Sequence, residues 1–276
     1  MLTISFDLGN FESVEICPIS DVHIGNPLCR EGLFKEYIDY ILQEPDDPKC
    51  ARICLLNGDL TESVTRSSLG NVFEQTMTPS VQVATMIKYL LPLTETSDKY
   101  PQGKILSYCS GNHDEARYKD TGISSAESIA VGLGLDNKYS KDGCYSFITL
   151  KKYASKGEKT LCTVYNSHLT GSAGTIGGRS NRLQKLSNVV YADIFVGSHL
   201  HTPLTFKEDI IMPSNNGTPR LYQRTITYVL TGAFLNYGDY AERASMRPST
   251  IAMPKIYIKQ ARHKNSTNYI YTEVLL

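Results

Sequence analysis

The chain has 276 residues, of which 41% are hydrophobic and 20% are charged, and its formal net charge is zero. This composition supports a buried core and excludes wholesale disorder, and the zero net charge argues against a non-specific nucleic-acid binder. The first residues lack the basic start of a secretory signal, and no apolar run approaches the ~20 residues of a bilayer span. The cysteines are odd in number and scattered, which is typical of a reducing compartment. We expect a cytoplasmic protein with no membrane partner.

Apolar runs alternate with amphipathic segments through the first half of the chain. We predict strands at 13–20, 52–56 and 105–109, and helices at 33–42, 79–91 and 124–133. The helices carry apolar residues at helical spacing, and Pro92 ends the second of them. This rhythm is typical of a layered α/β protein, in which ligands gather at the carboxyl ends of the strands.

The second half of the chain is richer in β-like segments. We predict strands at 144–150, 160–165, 193–196, 224–230, 255–259 and 269–275. A glycine-rich loop at 171–178 leads into a helix that carries Leu183, Leu186, Val189 and Val190. No repeat, low-complexity tract or linker divides the chain, so we expect a single domain over residues 1–276.

Short polar clusters follow five of these strands. In chain order they are Asp21-Val22-His23, Gly58-Asp59, Gly111-Asn112-His113-Asp114, His168 and His199-Leu200-His201. Because side chains i and i+2 of a strand share a face, each Asp-x-His or His-x-His pair should point two ligands into one cavity. Glycine beside Asp59 and Asn112 should let the backbone turn sharply.

These residue types predict a metal centre. Carboxylate, amide and imidazole ligands together suit Mn, Fe, Zn or Ni. Seven ligands are too many for one tetrahedral ion but suit two ions about 3.5–4 Å apart that share a carboxylate. Such a pair favours phosphoester hydrolysis, because it clamps phosphoryl oxygens and lowers the pKa of a bound water from ~15.7 towards ~7, which makes metal-bound hydroxide the nucleophile. His113 would then protonate the leaving oxygen.

The ordered motifs, which span residues 21–203, resemble those of the calcineurin-like metallophosphoesterase superfamily. The resemblance implies an α/β fold, a four-layer α/β-β/α sandwich of two mixed sheets flanked by helices. It also implies two metal sites: one held by Asp21, His23, Asp59 and His201, the other by Asp59, Asn112, His168 and His199, with Asp59 bridging. His113 would be the general acid or transition-state stabiliser, and Asp114 would orient it. One departure is Ser198, which occupies the usual glycine position before the last motif.

A basic segment follows His168. Arg179, Arg182 and Lys185 occur between residues 175 and 185 without an acidic residue. They form either a solvated helix face or a positive rim that binds substrate phosphate with backbone N–H groups of the glycine-rich loop. We assign Arg179 and Arg182 to substrate binding. The segment also resembles phosphoesterases of bacteriophage and prophage genomes, in a weaker match.

The substrate class is narrowed by the residues around the motifs. Gly58-Asp59-Leu60-Thr61-Glu62 and Gly-Asn-His-Asp differ from the protein-phosphatase pattern, and together with His-Leu-His they are similar to the DNA-repair exonuclease branch. We expect a Mn-dependent phosphodiesterase or nuclease that acts on DNA or a nucleotide. The alternatives are a phosphomonoesterase and a non-catalytic metal-site scaffold that binds protein. The oligomeric state is left open, and the sixth histidine, His263, is expected at the surface.

Overall fold

Two six-stranded sheets form the centre of the computed structural model, which describes residues 1–65, 72–152, 158–213, 220–238, 242, 248, 251–262 and 268–276. The strands are β1 (Leu2–Leu8), β2 (Ser13–Ile19), β3 (Cys50–Asn57), β4 (Ile105–Cys109), β5 (Tyr139–Ser140), β6 (Gly143–Lys151), β7 (Lys159–His168), β8 (Ile194–Ser198), β9 (Leu204–Pro213), β10 (Leu221–Leu230), β11 (Lys255–Arg262) and β12 (Asn268–Leu275). The helices are α1 (Glu31–Leu42), α2 (Pro79–Leu90), α3 (Asn112–Thr121), α4 (Ser125–Gly132) and α5 (Ile176–Gln184). His263 lies outside the described residues.

Both sheets are mixed, and together with their helices they confirm the predicted four-layer α/β fold. The first sheet has the order β1-β6-β7-β8-β10-β9 and the second has the order β12-β11-β2-β3-β4-β5. The central pairs β2–β3, β3–β4, β7–β8 and β8–β10 are parallel, whereas β6–β7, β9–β10 and β11–β12 are antiparallel. Parallel neighbours end at the same edge of a sheet, so the residues that follow β2, β3 and β4 gather in one place.

Three apolar clusters hold the four layers together. Between the sheets, Ile16 and Leu55 of the second sheet belong to the same buried cluster as Val164 of the first. A second cluster joins α1, α2 and α4 to the outer face of the second sheet, and a third joins α5 to the outer face of the first. Because β3 and β4 are covered on both faces, their sequences are largely apolar runs, and this is why they could be predicted.

The structure differs from the predicted elements mainly near the polar clusters. β3, β7 and β8 extend to Asn57, His168 and Ser198, beyond the ends that we predicted at 56, 165 and 196. The strands β1, β5 and β9 and the helix α3 were not predicted, and α5 ends at Gln184, so Leu186, Val189 and Val190 of the predicted helix lie beyond it. α3 is strongly polar, with one buried residue, Asp114, and so it lacks the apolar stripe by which helices are identified. Among the helices that the structure describes, none combines the length and apolar character that a bilayer span requires.

The two sheets meet directly beneath the polar clusters. The Asn57 Nδ2 group at the end of β3 donates to the Ser167 carbonyl (3.2 Å) and to Ser198 Oγ (2.9 Å), both in the other sheet. The Phe234 N–H group, just after β10, donates to the Asp21 carbonyl at 3.0 Å. Strand ends of both sheets are therefore fixed to each other at the edge where the predicted ligands lie.

Candidate metal centre

Five of the seven predicted ligands have left-handed backbone conformations. Their φ angles are +49° at Asp21, +51° at His23, +51° at Asp59, +82° at His199 and +48° at His201. Residues other than glycine rarely adopt this region, and each such residue costs of order 1–3 kcal/mol, so a group of them marks a site where geometry is imposed by function.

This backbone geometry corrects the predicted route by which the ligands converge. β2 ends at Ile19 and β8 ends at Ser198, so neither Asp-x-His nor His-x-His lies within a strand. Strand alternation therefore does not place these side chains; successive left-handed turns do. His199 and His201 consequently belong to different clusters rather than to one.

The first cluster consists of Asp21, His23 and His201, whose ligand atoms all lie within 4.8 Å of one another. Asp21 is fully buried; its Oδ2 accepts the His199 N–H group at 3.3 Å, and its Oδ1 lies 3.1 Å from His201 Nε2. Within the described part of the chain, Asp21 Oδ1 and His23 Nε2 are buried without a hydrogen-bond partner. The close Oδ1–Nε2 approach thus lacks hydrogen-bond alignment, as expected for two ligands that face a common ion.

The second cluster consists of Asp59, His168 and His199. His168 Nε2 lies 3.1 Å from Asp59 Oδ2 and 3.0 Å from the amide oxygen of Asn112, so Asn112 joins this cluster. The other carboxylate oxygen of Asp59 accepts the His113 N–H group at 2.9 Å. The structure groups Asp59 with this cluster alone, and its predicted bridging role stays a prediction.

Two glycines provide the space in which the second cluster assembles. A Cβ atom on Gly58, whose φ is +83°, would lie 2.7 Å from both the Gly111 backbone and His168 Nδ1. A Cβ atom on Gly111 would lie 2.0 Å from Asp59 Oδ1. Gly58 makes the sharp turn that we predicted. Gly111 is extended at the N-cap of α3, so it is required for space and not for a turn.

The far ring nitrogens of three histidines are held by acceptors. His23 Nδ1 donates to Glu62 Oε2 (3.0 Å), His168 Nδ1 donates to the Asn57 carbonyl (2.8 Å), and His199 Nε2 donates to the Gly171 carbonyl (3.1 Å). A neutral imidazole that donates from one nitrogen presents a lone pair at the other. Histidine ligands of metal ions are held in this way, so this set of donor atoms fits divalent cations.

The electrostatics of the two clusters are dominated by the buried carboxylates. Burial alone would raise the pKa of Asp59, but His168, His113 and His23 outweigh it and hold that pKa well below its ordinary value. Burial likewise opposes the charge of His168, yet Asp59 raises the pKa of this imidazole to about 9. Burial and the neighbouring His168 lower the pKa of His199 to about 4. Positive charge next to the buried carboxylates therefore stabilises their ionised form.

Glu62 is a residue of the site that the sequence analysis missed. Its carboxylate holds His23, and its backbone carbonyl accepts a hydrogen bond from His113 Nδ1 at 2.7 Å. The His23 ring and the His113 ring are 4.6 Å apart in an edge-to-face arrangement. The available signal was an acidic residue three positions after Asp59 in the same loop.

Asp114 does not occupy the position that we predicted for it. Its Oδ2 atom accepts the Gly111 N–H group at 2.9 Å, so the carboxylate closes the first turn of α3 instead of holding the His113 ring. The Glu62 carbonyl takes that place. Burial, and secondarily Asp59, raise the pKa of Asp114 to about 7.

The two predicted substrate-binding arginines brace the glycine-rich loop. Arg179 Nε donates to the Ala173 carbonyl at 3.1 Å, and Arg182 donates to the carbonyls of Ser172 (3.0 Å) and Thr170 (2.6 Å). Arg182 also lines an open cleft of about 790 Å³, and Arg179 is not among its lining residues. The cleft begins at the second cluster; its lining includes Asn112, His168, Lys119, Lys141 and Lys185.

Comparisons with known proteins add little to this description. Neither a family model nor a curated protein sequence matches the chain. Vps29 from Chaetomium thermophilum is 11% identical with a TM-score of 0.37, over 95% of each chain. A conserved protein of Streptococcus pneumoniae described as a predicted phosphoesterase is 10% identical with a TM-score of 0.35, over 95% of this chain and 98% of its own. With TM-scores below 0.5, neither likeness bears on the activity of this chain.

The Glu62 carboxylate should be required for tight metal binding at the first cluster. Glu62→Gln keeps the size of the side chain but removes the charge that holds His23 Nδ1, and we expect Mn²⁺ affinity to fall about 10- to 100-fold. Isothermal titration of the metal-free protein measures the affinity. Glu127→Gln, at an exposed position on α4, is the matched control and should bind like the wild type. Equal affinity of the Glu62 variant and the wild type would exclude this role.

Proposed function

We propose that this protein is a metal-dependent phosphoesterase of the calcineurin-like class that hydrolyses a phosphodiester in DNA or a nucleotide. The observation that carries the proposal is the pairing of two largely buried ligand clusters with a neighbouring histidine, His113, which lies outside both clusters and forms a third group of possible ligands with His23 and Glu62. The sequence resemblance, which extends through every motif from Asp21 to His201, supports the same class.

Each of the two ligand clusters would hold one metal ion. Asp21, His23 and His201 would hold one divalent ion, and Asp59, Asn112, His168 and His199 would hold the second, with Asp59 shared. When bound, such ions supply polarisation of the phosphoryl oxygens and a water of lowered pKa, ~7 in favourable cases. The mixed oxygen and nitrogen ligands favour Mn²⁺, with Fe, Zn and Ni as further candidates.

His113 is suited to give a proton to the leaving oxygen. Its Nδ1 atom donates to the Glu62 carbonyl, so Nε2 is the nitrogen left to give a proton to a substrate. Burial opposes protonation of the ring, but Asp59 and Glu62 outweigh it and raise the pKa of His113 above its ordinary value. A histidine that carries a proton near neutral pH is an effective general acid.

The cleft beside the second cluster has room for a substrate larger than a simple phosphomonoester. Its volume of about 790 Å³ is far larger than a phosphate group and suits a nucleotide. The lining of this cleft has four basic side chains (Lys119, Lys141, Arg182 and Lys185) and three acidic ones (Glu115, Asp120 and Asp142). A surplus of basic side chains in a cleft attracts the phosphates of an extended substrate.

The proposed activity should appear with a generic diester. We expect Mn²⁺-loaded protein to hydrolyse bis-(p-nitrophenyl) phosphate and Asp59→Asn to lose this activity, because the variant removes the charge that the second cluster supplies. The absorbance of the released p-nitrophenolate is measured with Mn²⁺, Ni²⁺ and Zn²⁺ in parallel. If wild type and Asp59→Asn turn over equally, the enzyme function is wrong; metal binding without turnover would favour the scaffold.

The His113 side chain should be needed for rate and not for metal. Removing a general acid typically lowers the rate ~10²–10⁴-fold, and we expect His113→Ala to show this loss with unchanged Mn²⁺ content by elemental analysis. The backbone N–H group that binds Asp59 is kept in this variant. Loss of metal from His113→Ala would instead make His113 a ligand.

The two arginines should differ in their effect on an extended substrate. Arg182 lines the cleft, so Arg182→Gln should raise KM for a short oligonucleotide about 10-fold or more, given 1.5–3 kcal/mol for a charged hydrogen bond. Arg179→Gln is the matched control and should change KM little. Mn²⁺ affinity is measured for both variants. If Arg182→Gln weakens metal binding and leaves KM unchanged, Arg182 acts by bracing the loop that holds His199.

A further inference from the structure

Ser198 stands where the resembled motif has glycine, and its hydroxyl lies beside a metal-ligand histidine. The parallel register of β7 and β8 pairs Ser198 with His168, the last residues of their strands. Ser198 Oγ lies 2.8 Å from His168 Nδ1 and 2.6 Å from the Asn57 carbonyl, to which it donates. Ser198 and Asn57 are fully buried, so these contacts are shielded from water.

The donors and acceptors around the Ser198 hydroxyl determine where each proton lies. A hydroxyl group has one proton and two lone pairs. Its proton goes to the Asn57 carbonyl, and one lone pair accepts from Asn57 Nδ2 at 2.9 Å. The second lone pair is satisfied only by a proton on His168 Nδ1. The Asn57 carbonyl, 2.8 Å from the same nitrogen, has the same requirement, because a carbonyl cannot donate.

The far side of the His168 ring faces the second cluster. With the proton fixed on Nδ1, neutral His168 presents the Nε2 lone pair between Asp59 Oδ2 (3.1 Å) and Asn112 Oδ1 (3.0 Å). Three acceptors then converge, an arrangement that a bound divalent cation would stabilise; without an ion, a proton on Nε2 serves the same two oxygens. A glycine at position 198 would leave the Asn57 carbonyl as the sole acceptor for the ring.

We propose that Ser198 is a positioning residue, whose hydroxyl, with the Asn57 carbonyl and amide, sets the tautomer and orientation of His168 for metal binding. The inference rests on the proposed function in that the second cluster must bind a metal ion. It goes beyond that function because it makes the metal affinity of the site depend on a residue that would contact neither the ion nor the substrate.

The test measures Mn²⁺ affinity directly, from the free Mn²⁺ signal in electron paramagnetic resonance, and does not depend on turnover. We expect Ser198→Ala and Ser198→Gly to weaken binding at one of the two sites about 10-fold, the lower end of the range for groups that orient histidine ligands. Ser107→Ala is the matched control. This variant removes another buried hydroxyl near the junction of the two sheets, which donates to Asn166, and it should bind Mn²⁺ like the wild type.

A double-mutant cycle separates positioning from general support of the fold. In the His168→Ala background, Ser198→Ala should cause no further loss of affinity, because the ring that it orients is gone. Additive losses, or an unchanged affinity in Ser198→Ala alone, would overturn the proposal. If the wild-type protein itself binds no Mn²⁺, Zn²⁺ or Ni²⁺, the proposed function is overturned as well. Failure of the Ser198 proposal alone would leave metal binding by the wild type intact.

A measurement on the wild-type protein tests the proposal even if the Ser198 variants fail to fold. In the Zn²⁺-loaded form, a long-range ¹H–¹⁵N spectrum should show His168 bound to the ion through Nε2 with its proton on Nδ1. Coordination through Nδ1 would contradict the proposed arrangement, since Nδ1 would then have no proton to share with Ser198 and Asn57.

Discussion

Burial of two carboxylates, Asp21 and Asp59, is the constraint on which the rest of the site depends. An ionised carboxylate in the interior costs several kcal/mol unless opposite charge is close. Among the described residues, the groups that lower the pKa of both carboxylates are histidines. A protonated histidine supplies the charge but loses the lone pair that makes it a ligand. A divalent ion would satisfy the carboxylates and leave the imidazoles neutral, so the proposed metal binding would meet both requirements.

The four-layer arrangement explains how ligands that are distant in sequence reach one point. β2, β3 and β4 bring Asp21, Asp59 and Asn112 from one sheet, and β7 and β8 bring His168 and His199 from the other. The apolar layer between the sheets ends in a polar seam, where Asn57 Nδ2 donates across to the other sheet. A shift between the sheets would break this seam and move the two ligand groups apart, so the stability of the fold and the geometry of the site depend on the same contacts.

The sequence predicted the buried strands and the identity of the clustered residues, but not how they converge. Strands covered on both faces are read directly as apolar runs, whereas α3 has a polar surface and no such signal. The side-chain directions at Asp21 and His199 arise from left-handed turns past the strand ends, and a spacing rule for strands cannot give them. Glu62 and Ser198 lie at hydrogen-bond distance from His23 and His168, which belong to other elements. Such partners are defined by tertiary contacts, so a single sequence does not reveal them.

Glu62 contacts both a candidate metal ligand and the candidate proton donor. Its carboxylate holds the far nitrogen of the metal-ligand candidate His23, while its carbonyl holds the far nitrogen of the proton donor candidate His113. One residue in one loop therefore sets the orientation of both rings, which lie edge to face at 4.6 Å. A scaffold that only bound metal would need the first of these contacts. The second orients the His113 ring, as the proposed transfer of a proton to the leaving oxygen would require.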